Sequence, residues 1–308
     1  MENISAVTSF KLIEYMEMED QKYLYFIVFL LLYILTLCTN LLLISVIYFE
    51  KSLHEPMYIF VGNLAVNGIY RSTILNPFLL SQLMFYSYEI SLGLCLAQIY
   101  CLHTYAMVEF SILAVMGYDR FIAICHPLHY RIVMSPQKVI GLIALSWMYP
   151  FIAFGMYFIL TAKLTFCSRI IPEVYCANFL LVRLSCFDTS VHSIVGLVAT
   201  VFLVVPQLLV VMFSYAQILR VCLLASRDSR FKALQTCTPH LLAFVNYSTG
   251  CFFEVIQSRF NMSNFPYGSR MFMSLYILIF PPLLNPTTYG ISVQNIRVRI
   301  LKIFPVKK

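Results

Sequence analysis

MGYDRFIAICHPLHY, residues 116–130, decides how the whole chain is read. An apolar helix runs into the charged pair Asp119-Arg120, continues for a further apolar turn, and stops in a loop containing Pro127. A charge at the centre of a membrane helix costs at least about 2.5–3.5 kcal/mol, so such a pair persists only beside partners, water or a helix end. The stretch therefore predicts the inner mouth of a membrane-crossing helix. A plainer reading stands beside it, in which Arg120 only snorkels to the lipid headgroups.

Composition agrees with a membrane setting. Of the 308 residues 60% are hydrophobic and 11% charged, whereas a soluble domain carries about 25% charged residues. A bilayer needs roughly 20 residues of helix. Seven segments meet that length, near 24–49, 57–82, 95–124, 139–161, 192–221, 235–258 and 270–291. Pro77, Pro150, Pro206, Pro281, Pro282 and Pro286 fall inside them, which membrane helices tolerate because neighbours and water satisfy the freed carbonyls. No repeat or composition break divides the chain. The expectation is an all-α membrane protein of one domain, a seven-transmembrane helix bundle. An outer tail covers 1–23, and an inner tail at 292–308 carries a short amphipathic helix.

Basic residues set the orientation. With the N-terminus outside, 13 of the 21 Lys and Arg fall on the inner side, seven on the outer side, and Arg71 within the second span. That bias follows the positive-inside rule. The acidic N-terminal tail carries Asn3-Ile4-Ser5, a glycosylation acceptor if exported. Its first apolar run is longer than a signal-peptide core and lacks a small-residue cleavage site, so an uncleaved anchor is expected. The net charge of +7 then reports inner loops near anionic lipid and argues against nucleic acid as a partner.

Other function classes leave little trace. A transporter needs intramembrane charges along a pathway or inverted repeats. Away from the span ends the only such charges are Arg71, Glu109 and Glu254, with no repeat. An intramembrane enzyme needs a nucleophile–base pair or HExxH at depth, and neither is present. No catalytic residue and no cofactor is expected. Of ten cysteines, none has the paired CxxC spacing of a zinc site, so no metal is expected. Cys95, Cys167, Cys176 and Cys186 fall on the oxidising side and suggest disulfides, but four cysteines allow three connectivities and the spacing does not choose. The remaining cysteines read as small buried residues.

The 116–130 stretch resembles the signature of odorant receptors, a branch of the rhodopsin-like G-protein-coupled receptors. The family's usual form has Ala where Gly117 stands and Tyr where Phe121 stands. The likeness extends along the chain. Pro56-Met57-Tyr58 opens the second span, Ser214-Tyr215 lies near the inner end of the fifth, and KALQTCTPHL at 232–241 starts the sixth. PPLLNPTTY at 281–289 contains Asn285, Pro286 and Tyr289, the NPxxY element. Ser248-Thr249-Gly250 replaces the Trp-x-Pro of other rhodopsin-like receptors.

The resemblance implies disulfides Cys95–Cys176 and Cys167–Cys186. It also implies a small-molecule odorant as ligand, a heterotrimeric G protein of the stimulatory olfactory type as partner, cyclic AMP as the output, and the ciliary plasma membrane of sensory neurons as the location. Non-olfactory chemoreception is the other reading. In the expected mechanism Arg120 pairs with Asp119 at rest and swings free on activation. Tyr215 and Tyr289 then move in to line a cleft for the G-protein tail. The basic inner loop (Arg220, Arg227, Arg230, Lys232) is either part of that cleft or ordinary topogenic charge.

One departure concerns depth. The family pattern places Asp in the second span, where Gly68 stands here, with Asn67 before it, so the usual sodium site is in doubt. One reading pairs Arg71 with Glu109, since an unpaired charge there is costly; the other turns Arg71 toward the outer cleft. Counting helical turns from Arg120 places Leu102, His103, Ala106 and Met107 in the ligand pocket. Val195, Ala199 and Leu203 join from the fifth span, Cys251 and Val255 from the sixth, and Leu275 and Leu278 from the seventh. His103 is either a satisfied bundle residue or a ligand contact. Arg259 has two readings as well. In the class I subgroup an Arg at this place grips a ligand carboxylate, for which its planar fork suits it; otherwise it pairs with Glu254 or lipid.

Overall fold

Backbone groups surrounded by hydrocarbon must find partners within their own segment, which leaves the helix as the form for an apolar run. A computed structural model describes residues 7–85, 87–259 and 266–303, except for the side chains at 256–259, 267, 278 and 303. Among the described residues seven long helices form the bundle. They are α1 Lys22–Phe49, α2 Pro56–Phe85, α3 Leu92–Cys125, α4 Pro136–Ala162, α5 Ser190–Leu224, α6 Arg227–Arg259 and α7 Tyr267–Ser292. A shorter α8, Gln294–Ile303, follows. It buries Ile296, and Arg299 pairs with Glu50 at 3.2 Å.

Four helices, α1, α3, α4 and α5, are long and apolar enough alone to cross a membrane. The α7 helix joins them if Gly268–Ile277 and Ile279–Ser292 count as one span. Polar residues lower α2 and α6 below that measure. The α2 helix buries Asn67, Arg71, Ser72, Asn76 and Gln82, while α6 opens on Arg227, Asp228, Arg230 and Lys232. The expected sixth span began at 235, but the helix begins at Arg227. Charged residues end a membrane span without ending a helix, so the basic inner loop is largely helical and α5 meets α6 across Ala225 and Ser226.

The central column is α3, which packs against α2, α4, α5 and α6. Its apolar window is 67% buried, against 11% for α5, whose outer face bears Phe202, Leu209 and Met212. Such an exposed apolar face suits lipid and would aggregate in water. Two carbonyls freed by prolines inside helices are satisfied by neighbours. Pro286 cannot donate to the carbonyl of Pro282; Asn40 Nδ2 donates to that oxygen instead, at 2.8 Å. Pro206 likewise frees the carbonyl of Phe202, to which the Tyr149 hydroxyl donates at 3.4 Å.

Within the segment expected as an outer tail, a strand contributes to a lid. Strand β1, Ser9–Leu12, lies between β2, Glu89–Ser91, and β3, Ile170–Ile171. It runs antiparallel to β2, with Phe10 opposite Ile90, and parallel to β3, with Lys11 opposite Ile170. Phe10 and Leu12 alternate inward, the period-2 pattern of a half-buried strand. Disulfides Cys95–Cys176 and Cys167–Cys186, with Cα atoms 5.4 and 5.0 Å apart, tie the long α4–α5 loop beneath this lid. That loop carries a short helix, Asn178–Arg183.

Candidate functional site

Three levels along α3 hold the polar chemistry. At the end opposite the lid, Asp119 is fully buried and ion-paired with Arg120. Tyr130, in the α3–α4 loop, donates its hydroxyl to Asp119 Oδ1 at 2.7 Å. That contact and burial raise the Tyr130 phenol above its ordinary value, with burial the larger cause. Beside the pair, His240 of α6 joins three helices. Its Nε2 lies 2.8 Å from the carbonyl of Leu113 on α3, and its Nδ1 lies 2.6 Å from the hydroxyl of Tyr215 on α5. A carbonyl only accepts, so Nε2 carries the hydrogen and Nδ1 accepts from Tyr215. The two rings stack with centroids 5.5 Å apart. His240 stood within the quoted KALQTCTPHL stretch without a role. The family motif could have suggested one, but only the fold brings Leu113 to it.

Tyr289 of α7 lies near this level, wholly buried, with its hydroxyl lacking a hydrogen-bond partner. Gly117 packs against His240. An added Cβ would meet His240 Cε1 at 3.7 Å, an ordinary contact, so the family's usual Ala would fit.

At the middle level the Arg71–Glu109 pair, one of the two readings, does not form. Glu109 accepts instead from Asn67 Nδ2 at 2.7 Å and from Asn285 Nδ2 at 2.6 Å. Arg71 is buried with Nε and Nη2 unpartnered. The reason is register. Antiparallel α2 and α3 bring Asn67 level with Glu109, and Arg71 stands one turn higher, about 5.4 Å, toward Tyr105. Two neutral amides thus hold the carboxylate where a cation was expected. At Gly68 a Cβ would press on Asn40 Oδ1 at 3.2 Å, so this position is closed to bulk.

At the lid end a cavity of about 120 Å³ opens between α3, α4, α5 and the loop helix. His103, Met107, Ala199 and Leu203 line it, as do Phe154, Tyr157, Asn178 and His192. The other pocket expectations fall elsewhere. Leu102 and Ala106 pack into the core, and the Ala106 carbonyl accepts from Tyr247 at 2.8 Å. Cys251 is packed against the core away from the cavity. Val195 and Val255 turn outward, 37% and 54% exposed. Leu275 lines a smaller cleft with Glu14, Glu173 and Arg270. The side chains of Arg259 and Leu278, and all of Asn3, lie outside the described residues. Glu254, the other partner considered for Arg259, accepts from Tyr175 at 2.7 Å. Counting turns from Arg120 treated α5 and α6 as facing the pocket along fixed stripes. It gave no role to α4 or to a loop whose course depends on two disulfides.

A family model described as olfactory receptor matches residues 29–307. The chain is 36% identical to human Olfactory receptor 52K2 over 91% of its own length and 89% of that protein. It is 33% identical to mouse Olfactory receptor 8U9 over 99% of this chain and 97% of that one. In three dimensions it resembles the crystal structure of squid rhodopsin with a TM-score of 0.74, at 14% identity, over 93% of this chain and 81% of that one.

Proposed function

The chain belongs to the olfactory receptor family, and from that premise we propose that a small organic odorant occupies the cavity beside α3 and drives α6 away from Arg120, activating a heterotrimeric G protein. The chain is a multi-pass membrane protein of rhodopsin-like fold. The lid end is the extracellular side, with Asn3 glycosylated, and the Asp119-Arg120 end faces the cytoplasm. The G protein is the stimulatory olfactory type and the output is cyclic AMP in sensory cilia. Membrane lipid is the other partner.

The observation that carries this reading is the His240 latch at the far end of the helix that lines the cavity. Met107 and Arg120 lie about 20 Å apart along α3 at the helical rise. Contacts step between them. Gln207 of α5 donates to Ser111 at 2.8 Å, one turn below Met107. Tyr247 of α6 holds the Ala106 carbonyl beside the cavity wall. The His240 bonds then close the mouth. Opening α6 breaks about three bonds of roughly 0.5–1.5 kcal/mol each. A micromolar ligand binds with about 8 kcal/mol, so a modest preference for the open state suffices to shift the populations. Once α6 leaves, Arg120, Tyr215 and Tyr289 line the cleft that receives the G-protein tail, with Asn285 and Pro286 forming the hinge that moves Tyr289.

The test is cyclic AMP in cells given a mixed odorant panel. Wild type responds, and Arg120→Ala loses the response while reaching the surface normally. A full response in Arg120→Ala at equal surface level contradicts the reading.

A further inference from the structure

The cavity beside α3 has a chemistry that selects among ligands. Its lining among the described residues includes no Lys, Arg, Asp or Glu. A charged ligand there would lose its hydration without gaining a counter-charge, which is costly. At about 120 Å³, and roughly 10–15 Å³ per water-sized probe, the space holds about ten non-hydrogen atoms. Its walls are aromatic on one side, with Phe154, Tyr157 and Phe179.

His103 supplies the directional contact. Its Nδ1 lies 2.9 Å from the carbonyl of Ile99, one turn back on α3. Because that oxygen only accepts, Nδ1 carries the ring hydrogen. Neutral imidazole then has a bare acceptor at Nε2, turned away from the α3 backbone. Stacking on Phe154, with centroids 4.7 Å apart and planes 7° from parallel, fixes the ring. Nearby polar groups are engaged with one another. Thr161 donates to Asn178 at 2.9 Å, Asn178 donates to the Tyr157 oxygen at 3.2 Å, and His192 Nε2 lies 3.1 Å from both the Tyr157 and Thr161 oxygens. His103 thus presents an oriented acceptor in an uncharged, ring-walled space, and a ligand hydroxyl is the group that completes it.

We infer that this receptor takes an uncharged, hydroxyl-bearing ring compound of about ten non-hydrogen atoms, whose O–H is donated to His103 Nε2. The inference rests on the odorant-receptor reading and gives it a ligand class. It runs against the carboxylate that one of the two readings of Arg259 implies.

The probes are 4-ethylphenol, its methyl ether 4-ethylanisole, and 4-ethylbenzoic acid. Purified receptor in lipid nanodiscs is read by thermal shift, and G-protein nucleotide exchange is read on the same samples. The phenol is expected to bind at least tenfold more tightly than the ether, and the acid not to bind. His103→Phe keeps the ring against Phe154 but removes the acceptor, and should bring phenol and ether to equal affinity. His103→Gln, which keeps an acceptor, should restore part of the difference. Equal affinity of phenol and ether on wild type, tighter binding of the acid, or no binding of the phenol overturns the inference, and none of these requires a variant to fold. Phenol-selective binding without nucleotide exchange would leave the ligand class standing and count against the signalling reading.

Discussion

Both nitrogens of the His240 ring are committed, one to α3 and one to α5, so a single side chain joins three helices. Replacing it with Phe preserves the stack on Tyr215 and removes both bonds. At about 1–3 kcal/mol for the pair, the proposed closed state should lose roughly five- to a hundredfold of its advantage. Ligand-free cyclic AMP, normalised to surface expression, should therefore rise severalfold in His240→Phe. Basal signal at or below wild type would remove the latch from the account. Asp119 and Arg120 were legible at this scale because charge in an apolar run has few explanations. The partner of Glu109 was not legible. Asn67 and Arg71 lie one turn apart on the same face of α2, and only the relative height of α2 and α3 decides which reaches the carboxylate.

Helices were the most legible elements, since apolar runs of bilayer length have one structural outcome. Their ends were less so, and α6 shows why: its charged first turns continue the helix beyond the apolar stretch that marks it. The lid was illegible because β1 draws its partners from loops distant in sequence. Two predictions belong to this element. Cys95→Ser frees the loop beneath the lid from α3, and loss of such a bridge typically costs about 2–5 kcal/mol; the variant should be retained in the endoplasmic reticulum, and normal surface delivery would show the bridge dispensable. The second concerns Glu173, to which Ser274 donates at 2.7 Å. Burial pushes its carboxyl from 4.5 up to about 8, although the Ser274 hydrogen bond pulls the other way. A carboxyl raised on folding contributes stability that is full below its unfolded value and is lost as pH rises through its folded one. The Tm of purified receptor should thus fall between about pH 5 and pH 8, and Glu173→Gln should flatten that fall. An unchanged slope in the variant would assign the pH dependence to other groups.

Across the molecule, α3 joins a cavity at the lid end to a charged mouth at the other, and α6 contacts it near both. The seven-helix plan could be read from composition and motif order, and so could His103, Met107, Ala199 and Leu203. The remainder of the cavity depends on α4 and a disulfide-anchored loop, whose placement no periodicity encodes. The account's central claim is that filling the cavity moves α6 away from the Asp119-Arg120 mouth. Spin labels at Leu128 in the α3–α4 loop and Phe231 on α6, both exposed at 90% and 68%, report that separation by pulsed electron resonance. With an agonist from the odorant panel the distance distribution should shift to longer values, and His240→Phe should populate those values without ligand. An agonist that raises cyclic AMP while the Leu128–Phe231 distribution stays fixed would contradict the account.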